Sequence, residues 1–225
     1  MVRTAAVAGF ALFYGTFLPA QAPVPVSDEP HHTRVMYASH LRMFEIVVPP
    51  GTTTLDHAHD RDVAVVALGD TTIRTRTVGR DWDAPRSYVP GGINLVTYTG
   101  APAAHAMENI GKTPYRVFAV ENMRENGWTT PRIIEAQATA LLQESRAFSV
   151  YEVRLSTSIP QTSHVHQQPT VVILLSGSIG VQGGGGESEF RIDAPGRWFA
   201  SSPDQPHTLS LIGASDARLI EVEAR

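Results

Sequence analysis

Six histidines fall into two matching sets. His57 and His59 flank a single residue, as do His164 and His166, and each pair is followed by an apolar run, a glycine and a third histidine, His105 or His207. Side chains alternate along an extended strand, so both members of a His-x-His pair share one face. A third imidazole from a distant strand then completes one side of a coordination shell. Imidazole suits Fe(II), Mn(II), Zn, Cu and Ni to differing degrees. Three such ligands leave the opposite positions open to water, substrate or O₂, the arrangement that Lewis-acid and oxygen chemistry need. Because the ligands are neutral, the metal keeps its full charge and favours an anionic, chelating substrate such as an enolate or carboxylate. The chain has no cysteine, which excludes thiolate ligands, iron–sulfur clusters and a cysteine nucleophile.

These histidines must be carried on strands. Met43–Val48, Val63–Leu68, Thr71–Thr77, Ile93–Tyr98 and Arg116–Glu121 read as β-type runs bounded by turn residues. The second half repeats the pattern over Phe148–Leu155, Thr170–Leu175, Ile179–Gln182, Glu189–Ile192, Arg197–Ala200 and Leu219–Val222. Matching positions recur at a drifting offset. His57 and His59 return 107 residues later, Gly69 returns as Gly177 after 108, Pro90 as Pro195 after 105, and His105 as His207 after 102. Loop insertions and deletions between common strands produce such drift, so the chain is an internal duplication. Thr130 and Pro131 read as an N-cap and first helical residue. Ile134, Ala138, Leu141 and Leu142 follow at helical spacing, which predicts a helix running to about Arg146. Residues 23–34 are Pro-rich and polar and read as a loose arm, with His31, His32 and His40 as structural or surface histidines. Asp56 and Asp60 read as solvated loop charges, Trp198 and Phe199 as core, and Phe44 and Tyr98 as candidate pocket liners. Gly183–Gly186 reads as a hairpin tip, because no helix follows it to form a phosphate loop.

On these motifs the chain resembles the cupin superfamily in its two-domain form, the bicupins, and in particular quercetin-dioxygenase-like cupins. Gly51, His57, His59 and Gly69 occupy the places of the first family motif, and His105 with Asn109 those of the end of the second. The resemblance implies an all-β fold, two tandem double-stranded β-helix (jelly-roll) barrels joined by a short helix, with a divalent transition metal (Fe, Mn, Zn, Cu or Ni) inside the barrel mouth. It also implies a carboxylate ligand from the first motif. Asp62 stands at that place in the first half and is a candidate ligand, whereas Thr170 stands there in the second. Leu211 replaces the second asparagine. The resulting division is a signal peptide over 1–22, an N-terminal cupin domain over 23–125, a linker helix over 126–147 and a C-terminal cupin domain over 148–225.

Composition narrows the partners. A net charge of −4, with no basic run carrying interleaved aromatics, argues against nucleic acid and anionic membranes. Arg3, the apolar stretch from Ala5 to Leu18 and the small-x-small site Ala20–Ala22 read as a secretory leader, too short for a membrane span. A periplasmic or secreted protein is therefore expected, with a small-molecule ligand or substrate, no membrane attachment after cleavage, and homo-oligomerisation left open. Two functions fit: a metal-dependent, dioxygenase-like enzyme acting on a small oxygenated anion, or a non-catalytic extracytoplasmic module that captures a metal or small acid. The absent family glutamate favours the second reading and the open coordination positions favour the first.

Overall fold

The computed structural model describes residues 22–38, 40–124, 136–183 and 189–225. The expected leader, apart from Ala22, and the tip of the glycine-rich hairpin lie outside them. In chain order the first half contributes β1 (Val24–Pro25), β2 (His32–Ala38), β3 (Leu41–Val48), β4 (His57–His59), β5 (Val63–Ala67), β6 (Thr71–Thr77), β7 (Arg86–Tyr88), β8 (Ile93–Val96), β9 (Ala103–Asn109) and β10 (Tyr115–Asn122). The second contributes β11 (Thr139–Glu144), β12 (Phe148–Leu155), β13 (Gln161–Val165), β14 (Thr170–Ser176), β15 (Ile179–Gly183), β16 (Phe190–Ile192), β17 (Trp198–Ser201), β18 (Pro206–Leu211) and β19 (Ala217–Ala224). Among the described residues no helix is long and apolar enough to cross a membrane.

Each half folds into two facing sheets, a jelly-roll arrangement, and the two halves match strand for strand. The orders β2-β3-β10-β5-β8 and β11-β12-β19-β14-β17 are equivalent, as are β4-β9-β6-β7 and β13-β18-β15-β16. The one addition is β1, which pairs in parallel with β4, Val24 against His57. The arm expected to be loose is thus hydrogen-bonded to the first His-x-His strand, and Glu29 and His32 beyond β1 are buried.

Over residues 136–146 the helix expected up to Arg146 is not formed. Residues 125–135 lie outside the described residues, but Thr139–Glu144 is strand β11, paired antiparallel with β12. Ala138 has a φ of 70°, outside the helical range. Leu141 and Leu142 are exposed rather than packed on a core-facing stripe. Their spacing was compatible with a helix, yet β12 offers an open edge and the duplication requires a partner on it. Indeed β11 carries a register shift between Leu141 and Gln143, matching that between Arg34 and Met36 in β2.

Central strands are buried on both faces, which is why they read as near-continuous apolar runs. On β10, Phe118 and Val120 point out of the first barrel while Val117 and Ala119 point into it; on β19, Ile220 and Val222 point out and Leu219 points in. The outward faces of the two five-stranded sheets meet. Leu41, Met43, Ala64, Val66, Phe118 and Val120 pack with Phe148, Val150, Val171, Ile173, Ile220 and Val222 in one cluster shared by both barrels. Polar contacts tie its rim: Asn122 Nδ2 donates to the carbonyls of Ala147 at 3.1 Å and Arg225 at 3.0 Å, and Arg146 pairs with Asp62. The barrels therefore depend on one another for burial. Phe118→Ala should lower the free energy of unfolding by about 3–5 kcal/mol, and urea melts followed through Trp82 and Trp198 should shift together. A shift seen by the Trp82 probe alone would contradict a shared core.

Candidate metal centres

Register brings each histidine triad together. His57 lies directly opposite His105 across β4 and β9, and His164 opposite His207 across β13 and β18. Directly opposed residues share a face, and the i+2 histidine of each pair shares it too. Ring centroids in the first triad are 4.5 Å (His57–His105), 5.1 Å (His57–His59) and 5.0 Å (His59–His105) apart. The corresponding distances in the second are 4.4, 5.0 and 5.3 Å. One ligand atom from each of His57, His59 and His105 lies within 4.8 Å of the others, and the same holds for His164, His166, His207 and Glu221.

The surroundings of the two triads differ. In the first barrel the His57 Nδ1 faces the Leu55 carbonyl at 2.9 Å, leaving its Nε2 toward the centre. Tyr98 stacks on His59 with centroids 4.8 Å apart, and its hydroxyl lies 3.3 Å from His105 Nδ1. His59 Nδ1 and Glu121 Oε1 are buried without a hydrogen-bond partner in the protein, 3.8 Å apart. Burial, reinforced by the neighbouring imidazoles, lowers His57 to a pKa of about 4 and His105 to about 3. His57 and His105 are therefore neutral at neutral pH, the form that binds a cation. The triad opens onto a cavity of about 280 Å³ whose wall includes Val65, Val96, Met107, Arg76, Arg86 and Tyr98.

Asp62 is not part of this cluster. Its Oδ1 accepts the backbone N–H groups of Tyr98 at 2.8 Å and Thr99 at 2.7 Å, and its Oδ2 accepts Arg146 Nε at 3.0 Å. Those bonds, Arg146 foremost, overcome the effect of burial and hold its carboxyl below the usual range. The residue at the family carboxylate position thus fixes the Tyr98 loop and the second barrel. Asn109, in the family asparagine position, is a buried pin: its Nδ2 donates to the Val48 and Thr113 carbonyls at 2.8 and 2.9 Å. Phe44 is core, meeting His32 edge-on with the Arg42 guanidinium over its ring. Asp56 is not free in solvent, since it pairs with Arg76 at 3.0 Å.

In the second barrel a carboxylate does enter, from a strand outside both motifs. Glu221 on β19 is fully buried. Its Oε1 lies 2.9 Å from His164 Nε2 and 3.7 Å from His207 Nε2, and its Oε2 lies 3.6 Å from His166 Nε2. Behind it, Glu223 Oε2 contacts His166 Nδ1 at 3.0 Å. Burial would favour a neutral His166, but Glu221 and Glu223 outweigh it and raise the pKa to about 9. Burial likewise opposes ionisation of Glu221, and the hydrogen bond from His164 together with the adjacent His166 overcomes it, holding the carboxyl well below its ordinary range. His166 Nε2, His207 Nε2 and Glu221 Oε2 are buried with no hydrogen-bond partner in the protein. Unpartnered buried ligand atoms facing a common point suit a cation, so both sets of residues fit a metal ion.

Sequence reasoning missed Glu221, Glu223, Glu121, Glu29 and His32. The His105-to-His207 offset of 102 also carries Glu121 onto Glu223 and Ala119 onto Glu221, and that signal was available. The arm carried none. Yet His32 lines the first cavity with its ring 4.8 Å from His57, and Glu29 holds its Nδ1 at 2.5 Å. Despite burial, the hydrogen bonds from His32 and His31 lower Glu29 to a pKa of about 2.

The opposite shifts give metal-stripped protein a stability maximum. For His57 and His105 the unfolded chain binds more protons between about pH 4 and the ordinary 6.5, so stability rises with pH there. For His166 the folded chain binds more between 6.5 and about 9, so its contribution is lost as pH rises through that range. Chelator-treated protein melted in urea from pH 4 to 9 should therefore be most stable near pH 6.5, and a monotonic profile would contradict these environments.

No family model matches the chain, and no curated protein sequence matches it. Solved structures do match. Salicylate 1,2-dioxygenase from Pseudoaminobacter salicylatoxidans, in complex with gentisate, aligns over 89% of this chain and 76% of its own at 12% identity and a TM-score of 0.65. YhhW from Escherichia coli aligns over 85% and 84% at 15% identity, TM-score 0.60. A cupin 2 conserved barrel domain protein from Leptotrichia buccalis aligns over 86% and 88% at 8% identity, TM-score 0.57. With its two facing pairs of sheets and a histidine triad inside each, this chain has the fold of the cupin superfamily in two-barrel form.

Proposed function

We propose that the protein is an extracytoplasmic, metal-dependent, dioxygenase-like enzyme whose first barrel acts on a small oxygenated organic anion. The observation that carries the reading is a clustered triad of His57, His59 and His105 facing a cavity of about 280 Å³. Three protein ligands leave coordination positions on the cavity side, where a bound Fe, Mn, Zn, Cu or Ni ion would supply Lewis-acid or oxygen chemistry. The leader-like N-terminus supports a periplasmic or secreted location.

The chain's own residues suit that substrate. Val63, Val65, Val96 and Met107 give an apolar wall that excludes water from the organic body. Arg76 lies on the same wall, braced by Asp56 and by Trp82, whose ring centroid is 5.3 Å from its guanidinium carbon. Its Nε is buried without a hydrogen-bond partner in the protein. A carboxylate or enolate oxygen would satisfy that donor while a second oxygen of the same molecule reached the triad. The volume suits a single-ring molecule better than a polymer, since pockets for drug-sized ligands run from about 300 Å³ upward. The salicylate dioxygenase relative holds gentisate, a small aromatic acid, which supports the same substrate class.

Purified protein reconstituted separately with each metal should consume O₂ with one member of a panel of flavonols, diketones and aromatic hydroxy acids. Stoichiometric metal without turnover would replace this reading with that of a metal- or acid-binding module. His57→Ala should remove the first-barrel metal and all turnover while the second barrel keeps its ion, as metal analysis would show. Arg76→Met should raise KM for an anionic substrate by about ten- to a hundred-fold, the worth of a charged hydrogen bond. An unchanged KM would exclude Arg76 from substrate binding.

A further inference from the structure

We propose that the second barrel holds its ion in a closed four-ligand centre, His164, His166, His207 and Glu221, that is structural rather than catalytic. The inference rests on reading the triads as metal centres and adds a division of labour between them.

Geometry is the first argument. Metal–N and metal–O bonds of about 2.0–2.1 Å in a tetrahedral site place neighbouring ligand atoms roughly 3.4 Å apart. Glu221 Oε1 lies 2.9 Å from His164 Nε2 and 3.7 Å from His207 Nε2, Oε2 lies 3.6 Å from His166 Nε2, and one ligand atom from each of the four residues lies within 4.8 Å of the others. One ion can draw four such atoms into its shell, and it would displace the proton in the His164–Glu221 contact.

Orientation is the second. Glu223 holds His166 Nδ1 at 3.0 Å, and the Ser201 hydroxyl lies 3.4 Å from His207 Nδ1. Both Nε2 atoms therefore face the centre, with their second nitrogens engaged as ligating histidines require. The charge also differs from that of the first barrel: Glu221 brings a negative charge, which partly neutralises a divalent ion and weakens its pull on an anionic substrate.

Access is the third. The nearby cavity of about 200 Å³ is lined by His207, Phe199 and Phe190 but not by His164, His166 or Glu221. His166 and Glu221 have no exposed surface. In the first barrel the duplication places Ala119 where Glu221 stands, and Ala119 lines the open cavity. A methyl group at this inward position leaves room for substrate, whereas a carboxylate there fills the fourth position. This glutamate is also not the motif carboxylate, since it comes from β19.

Co(II) loading distinguishes the two centres, because tetrahedral Co(II) absorbs visible light intensely and six-coordinate Co(II) weakly. His57→Ala protein, which retains the second centre, should bind one equivalent with an intense band that azide does not move. A weak band, or one shifted by azide, would overturn the closed centre. In the same background Glu221→Gln should weaken binding by more than the roughly 10–100-fold that loss of an outer-sphere partner costs, and retained affinity would overturn the ligand role. Should the double variant fail to fold, the azide experiment still decides. A second centre behaving this way in a protein without O₂ uptake would sink the catalytic reading and leave this one standing. Uptake together with an azide-sensitive second centre would do the reverse.

Discussion

Strands buried on both faces must divide their side chains between two interiors, and this constraint organises the molecule. Along β10 and β19 odd and even positions serve different ends. Phe118, Val120, Ile220 and Val222 build the hydrophobic layer between the barrels, while Ala119, Glu121, Glu221 and Glu223 face the barrel interiors. A one-residue slip would exchange the two sets, sending glutamates into the apolar layer and phenylalanine toward the histidine triads. Inter-barrel packing and site assembly are thus consequences of one register. The shared layer supplies the burial that keeps that register, and the sites inherit its rigidity.

Polar groups that the barrels bury must be compensated. In the first barrel compensation is minimal: clustered imidazoles, an aromatic ring stacked on one of them, and a carboxylate, Glu121, that is also engaged by Arg42 at 2.5 Å. The second barrel places two carboxylates, Glu221 and Glu223, against its imidazoles, so the buried polar groups compensate one another inside the protein. At one inward position of the matching strands Ala119 stands where the second barrel has Glu221, and an open pocket in the first barrel contrasts with an enclosed carboxylate in the second. The N-terminal arm sharpens the difference, since it adds β1, Glu29 and His32 to the first barrel only.

Legibility followed the range of the interaction. The His-x-His pairs, the apolar runs and the repeat were visible because each is a local pattern with a fixed period. Positions of β5, β6 and β12 followed directly from those patterns. The expected helix failed because four apolar residues at helical spacing do not outweigh an open sheet edge at β12. Asp62 failed as a ligand because motif position specifies where a residue sits in the chain, whereas the backbone amides of Tyr98 and Thr99 and the guanidinium of Arg146 compete for its oxygens. The arm reads as loose because nothing in its own composition reports that β4 has a free edge.

By itself, the sequence determined a duplicated all-β architecture, the six histidines and the chemistry that imidazole can support, since these depend on residue type and short-range periodicity. Only the tertiary structure decided that Glu221 joins the second triad, that Ala119 leaves the first one open, that Arg76 and His32 share its cavity and that Asp62 turns away. Each of those outcomes depends on which strands become neighbours and on how much water remains between them, and these are properties of long-range pairing and burial that no local pattern encodes.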